Sequence, residues 1–196
     1  MTKGSEAMNV YDFDKTIYDG DSTFDFLMFC AKKNKAVRKM LPGIALRGVL
    51  FLLGIIKKQD FKEKMFSFLT VIDVDKEVKK FWRLNIGNVK IWYAMQQKED
   101  DMVISASPEF LVQGAMNLLN IKYMMASPVD KNTGKYYGKN CHGEEKVARL
   151  RESYPDAVID EFYSDSYSDS PLAKLAKKAY LVKGDKLLPW SRRKLK

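Results

Sequence analysis

The sequence predicts an α/β fold, a parallel sheet with helices on both faces, interrupted early by an all-helical block. Three observations carry this. Short apolar runs alternate with segments of helical spacing through the second half of the chain, as strand–helix crossovers require. Residues 23–95 hold several helical stretches and no convincing strand, so they read as an insertion between the first two strands. The unusual polar residues fall just after the strands, where open α/β sheets bind ligands.

The elements follow in order. "MNVYDF" (8–13) is strand-like and runs into an acidic loop. "TFDFLMFCAKKN", "MLPGIALRGVLFLLGIIKK", "DFKEKMFSFLTVI" and "DKEVKKFWRLN" are the helical stretches of the insertion. "DMVISAS" (101–107) is the next apolar run, and "PEFLVQGAMNLLN" (108–120) is a helix opened by proline at its first turn. "IKYMMAS" (121–127) reads as a strand, followed by "DKNTGKYYG", a hairpin with an Asn-Thr-Gly turn. "GEEKVARLRESY" (143–154) is a helix, "AVIDEFYSD" (157–165) a strand, "DSPLAKLAKKA" (169–179) a helix and "YLVKG" (180–184) a last strand. The sum is a Rossmann-like core at 1–22 and 96–196 with an inserted helical cap at 23–95.

Composition limits the chemistry. At 196 residues, 46% hydrophobic and 30% charged, the chain can bury a sizeable core and is not disordered. Two cysteines without a pairing pattern point to a reducing compartment, and the polar start "MTKGSEA" carries no signal peptide, so a cytoplasmic location is expected. His142 is the only histidine in the sequence, which leaves acid–base work to carboxylates and lysine. Net charge is +9, and between Ala31 and Gln59 there are eight Lys or Arg and no acid. Such clustering fits an anionic partner, whether phosphorylated substrate, nucleic acid or membrane surface, or simply a solvated face.

The acidic loop asks for an explanation. Residues two apart on a strand face the same way, about 7 Å apart. Asp12 and Asp14 can therefore reach one ligand, and Asp165 and Asp169 add two more carboxylates after a later strand. Oxygens from separated segments suit a hard cation, Mg2+ before zinc. Helix or turn capping would explain Asp169 or Asp21 singly, but not the whole set.

Four motifs in order then resemble the haloacid dehalogenase (HAD) superfamily, in its phosphoserine-phosphatase-like (subfamily IB) branch. "DFDKT" (12–16) is similar to the DxDx[TV] nucleophile motif, and "SAS" (105–107) stands where a strand-ending Ser or Thr is expected. Lys146 in "GEEKV" resembles the third-motif lysine, and "SDSYSD" (164–169) the acidic fourth motif. "NCHGEEKVARL" is similar to the segment around that lysine, and the branch carries a helical cap where this chain has its insertion. One departure is that Ser164 and Ser166 replace two glycines, removing permissive backbone positions.

The resemblance implies a phosphatase. Asp12 would attack phosphorus and form an aspartyl-phosphate, and Asp14 would serve as acid and then base. Asp12, Asp165 and the Asp14 backbone carbonyl would hold Mg2+. Ser105, the backbone at Ala106 and Lys146 would bind phosphate, with Thr16 and Asp169 in support. The expected substrate is a phosphorylated small molecule or a lipid phosphate.

Two other classes share parts of this pattern. A phospho-accepting receiver-like signalling domain shares the residue types but has neither a cap nor a late acidic motif. A basic nucleic-acid-binding module would use the charge and aromatics such as Tyr136 and Tyr137. It leaves the acidic constellation unexplained, so nucleic acid is not the expected partner. Finally, "MLPGIALRGVLFLLGII" (40–56) bears one charge, Arg47, with basic flanks. It is short for a span and is broken by Pro42 and three glycines. It is expected to pack within the cap or over the site, with peripheral membrane contact through residues 40–56 as the alternative.

Overall fold

The computed structural model describes residues 7–191 and Arg193. Its strands are β1 (Met8–Tyr11), β2 (Met102–Pro108), β3 (Tyr123–Ser127), β4 (Ile159–Ser164), β5 (Ala176–Lys183) and β6 (Lys186–Pro189). They form one sheet in the order β3-β2-β1-β4-β5-β6, parallel except where β6 returns against β5. From β1 the chain builds outward to one side and then restarts with β4 on the other. A crevice for ligands forms at such a reversal, beyond the strand ends.

Between β1 and β2 lie α1 (Ser22–Lys33), α2 (Lys35–Leu52), α3 (Lys58–Phe66), α4 (Val74–Asn85) and α5 (Ile91–Gln96). Later come α6 (Glu109–Leu119), α7 (Glu144–Ser153) and a short α8 (Ser170–Ala173). Alternation along the strands divides the core into two layers. Tyr11, Val103 and Tyr163 pack with α1, α4, α5 and α6. Val10, Met102, Ile104, Ile159 and Phe162 pack with α7 and α8. The inserted helices thus share a core with one sheet face.

Local chemistry sets the helix limits. The Asp21 carboxylate accepts from the Phe24 amide (3.0 Å) and opens α1. Asn34 closes α1 through its amide on the Cys30 carbonyl (2.9 Å) and opens α2 through its side chain on the Ala36 amide (2.8 Å). The Trp82 indole of α4 donates to the Leu111 carbonyl (2.7 Å). A Cβ on Gly114 would come within 2.6 Å of that indole ring, so glycine lets α4 lie directly on α6. On α2 the buried positions are Val37 and Ile44, and Pro42 sits in the helix interior.

Three sequence expectations change. The helix expected over 169–179 ends at Ala173, and Ala176–Lys183 is a strand. Its Ala and Lys favour helix, but pairing along β4 prevails, with Glu161 opposite Lys178 and their side chains 3.3 Å apart. The antiparallel β6 was not anticipated. The hairpin over 130–138 reduces to a turn with one bridge, Val129 to Tyr136. Asp130 Oδ1 accepts from the Asn132 and Thr133 amides there, both at 2.8 Å.

Candidate active site

The site lies where β1 and β4 release the chain side by side. Asp12 follows β1, and its amide donates to the Tyr163 carbonyl of β4 (2.9 Å), which fixes its backbone against the neighbouring strand. Its Oδ1 accepts from Lys146 Nζ at 2.7 Å. Lys146, on the first turn of α7 and buried, donates also to Asp169 Oδ2 at 2.8 Å. One ammonium therefore joins the ends of three segments. Burial alone would lower the Lys146 pKa, but Asp12 and Asp169 outweigh it and hold the ammonium above its ordinary value. Burial pushes the Asp12 carboxyl up to about 7, with Lys146 opposing and Asp169 adding.

Asp14 points toward the start of α1. Its Oδ1 accepts from the Ser22 amide (2.7 Å), and its Oδ2 accepts from the Ser107 hydroxyl. Burial and then Asp21 push its carboxyl up to about 6, against the bonds from Ser107 and Ser22. Asp165 is held by backbone: its amide donates to Thr16 Oγ1 at 2.9 Å, and its carbonyl accepts from Lys183 at 3.0 Å. Its carboxyl too is raised by burial, with Lys15 opposing.

The acidic loop after β4 accommodates its serines. Ser166 has φ −130°, and neither Ser164 nor Ser166 takes a left-handed backbone. The Ser164 hydroxyl donates to Asp169 Oδ2 (2.8 Å) and accepts from the Ser166 amide (3.2 Å), so the replacement supplies a bond to the acid it precedes. Left-handed strain sits instead at Lys15, φ +59°. For an L-residue that costs about 1 kcal/mol. Lys15 is held from both sides, its amide donating to the Gly20 carbonyl (2.9 Å) and its carbonyl accepting from buried Lys90 (2.8 Å). Lys90 Nζ also donates to the Gly184 carbonyl (2.6 Å) in the turn between β5 and β6.

Asp12, Asp14, Ala106, Lys146, Asp165 and Asp169 all line one pocket of about 260 Å³. Thr16 is buried outside the lining and acts through its bond from the Asp165 amide. Ser105 is buried outside the lining, its hydroxyl accepting from the Ser107 amide at 3.1 Å. The sequence reading missed Ser107, which lines the pocket and bonds Asp14 and Thr23. The period of two was the available signal, since Ser105 and Ser107 face alike along β2. It also missed Lys15 and Lys62 in the lining. Lys62, from α3, donates to the Ala106 carbonyl (3.0 Å) and Asn140 Oδ1 (3.2 Å).

Carboxylates outnumber buried cations here, and two of them, Asp12 and Asp165, stand at adjacent strand ends. Among the described residues no three His, Cys, Asp or Glu side chains form a metal-binding group. Asp12 and Asp165 could hold a hard cation such as Mg2+ with retained waters, which needs no dedicated protein cage.

The profile of the haloacid dehalogenase-like hydrolase family matches residues 10–174. The chain belongs to that family. The matched span runs from within β1 through the insertion and Lys146 to beyond the acidic loop, so the HAD match takes in every pocket residue named above. The chain is 27% identical to Protein CicA of Caulobacter vibrioides, over 91% of this chain and 88% of the relative. A protein with unknown function from Bordetella pertussis Tohama I shares the fold at TM-score 0.73 and 17% identity, covering 90% of each chain. A phosphoserine phosphohydrolase-like protein from Francisella tularensis subsp. tularensis SCHU S4 does so at TM-score 0.56 and 16% identity, covering 90% of this chain and 87% of that one. A substrate-bound phosphoserine phosphatase superposes at TM-score 0.53 and 12% identity, covering 90% and 86%.

Proposed function

We propose that this HAD-like hydrolase is a Mg2+-dependent phosphomonoester phosphatase working through an aspartyl-phosphate, with residues 23–95 as its cap. The observation that carries the reading is Lys146 buried between Asp12 and Asp169, with Asp12 opening onto the pocket at the β1/β4 reversal. The structural likeness to a phosphoserine phosphatase with bound substrate supports it. Likeness to a phospho-aspartyl intermediate analogue of that enzyme, TM-score 0.51 at 16% identity, supports it too.

Asp12 attacks phosphorus through a carboxylate oxygen, and the bond from phosphorus to the leaving oxygen breaks. Asp14, facing the same pocket, gives its proton to that oxygen. In the second half water attacks the phosphoryl group, Asp14 takes its proton, and Asp12 is released with inorganic phosphate. Lys146 holds Asp12 in place and sets a fixed positive charge beside the incoming phosphate. The Ser107 hydroxyl and Ser22 amide orient Asp14. Asp12, Asp165 and the Asp14 carbonyl would hold Mg2+. Bound there, the ion would screen carboxylate from phosphate.

The test is hydrolysis of an aryl phosphate against Mg2+ concentration. Asp165→Asn should raise the Mg2+ needed for half-maximal rate about tenfold, because it weakens a direct ligand. Asp14→Asn should lower turnover with nearly the wild-type metal demand. No hydrolysis at any Mg2+ concentration would end the reading. Identical metal titrations in the two variants would end this division of roles.

A further inference from the structure

Helix α2 buries Val37 and Ile44 and leaves most of its surface uncovered. Leu46, Val49, Leu52 and Leu53 are 61%, 51%, 82% and 67% exposed, and Ile55 just beyond the helix is 65% exposed. Scattered exposed leucines are ordinary, but five large apolar side chains within ten positions form a patch. Seven-residue steps keep one side of a helix, so Lys39, Leu46 and Leu53 form one stripe, and Lys35, Pro42 and Val49 run beside it. Both stripes start cationic and end apolar, and no acid occurs between Ala31 and Gln59.

That order matches an anionic headgroup layer over hydrocarbon rather than a protein surface, which would present acids and backbone to be paired. Among the described residues no helix is long and apolar enough to cross a membrane. The helix would therefore dip obliquely into one leaflet, its cationic start among the headgroups and its apolar end deeper, without crossing. Beside it an apolar groove of about 270 Å³ runs between α1, α2 and α3, lined by Leu27, Leu41, Ile44, Phe61 and Met65. Met65 lines the catalytic pocket as well, so the groove and the carboxylates meet at that side chain.

We propose that the outward face of α2 docks on an anionic lipid bilayer. The groove beside it then takes the hydrocarbon chain of a lipid phosphomonoester whose phosphate reaches Asp12. The second half rests on the phosphatase reading; the docking does not.

Sedimentation with vesicles of phosphatidylglycerol and phosphatidylcholine, against phosphatidylcholine alone, reads the docking without any turnover. Wild type should pellet with the anionic vesicles at low salt. Leu46→Glu/Leu53→Glu should bind them at least tenfold more weakly while its aryl phosphate hydrolysis stays unchanged. If that variant proves misfolded, Lys35→Gln/Lys39→Gln gives the same reading through the charge. Between butyl and octyl phosphate, KM should fall at least about tenfold as four methylenes enter the groove. A wild type that stays in the supernatant, variants that pellet as it does, or a KM indifferent to chain length would each overturn the proposal. Absence of all phosphatase activity with vesicle binding intact would instead strike the catalytic reading and the chain-binding half that rests on it, and would leave the docking standing.

Discussion

Asp12 and Asp101 are both buried carboxylates on adjacent parallel strands, but they stand at opposite ends of them. Asp12 follows β1 and Asp101 precedes β2. Burial raises both, to about 7 and about 6. Their surroundings differ. Asp12 is paired with Lys146 and opens onto the pocket. Asp101 accepts from the Lys98 amide at 2.9 Å, and its Oδ1 makes no hydrogen bond among the described residues. A raised carboxyl therefore marks burial and not function. Position at the carboxyl end of the sheet, a paired cation and an open cavity are what separate the two.

Lys146→Met breaks the comparison most severely. It strips the partner from two buried carboxylates and should lower stability by about 3–5 kcal/mol, read by urea denaturation. Wild-type stability would mean that solvent already screens the triad.

Next in size is the contrast in turnover. Asp12→Asn keeps shape but removes the charge proposed to attack phosphorus, and aryl phosphate turnover should fall at least about a hundredfold, some 3 kcal/mol. Asp101→Asn should leave it within a factor of about two. Equal losses would erase the distinction between the two ends.

Asp101 should show itself in stability instead. Its folded pKa lies above its unfolded value, so the folded state binds the proton more tightly. The resulting stabilisation is complete below about pH 4 and is lost as pH rises through about 6, on the order of 2 kcal/mol. The stability difference between wild type and Asp101→Asn should change in that window. A flat difference from pH 4 to 7 would show that Asp101 is ionised at no cost.

The smallest effect is at Lys15. Replacement by glycine should relieve its left-handed backbone and raise stability by about 1 kcal/mol, while removing an ammonium from the pocket rim and raising KM. An unchanged KM would assign Lys15 to the loop alone.

Much of this was legible in the sequence because charge in an apolar context is conspicuous. Asp12, Asp14, Lys146 and Asp169 stand out beside Phe13, Val147 and the serines of the acidic loop, and they line one pocket. Lys62 was not legible. It is one lysine in a lysine-rich helix, and only tertiary packing brings it to the Ala106 carbonyl, 44 positions away. Ser107 was hidden by its neighbour Ser105, since spacing shows that both face one side but not which reaches solvent. The 176–183 strand was hidden because cross-strand pairing overrode helix-favouring Ala and Lys.

Lys90 has a mechanical consequence. Its single ammonium clasps the Lys15 carbonyl in the loop that carries Asp14, and the Gly184 carbonyl at the tip of the β5–β6 hairpin. The sheet's outermost hairpin is thereby latched to the loop that carries Asp14. Shearing that hairpin away would slacken the loop from behind, leaving every residue of the pocket in the chain and Asp14 without its brace.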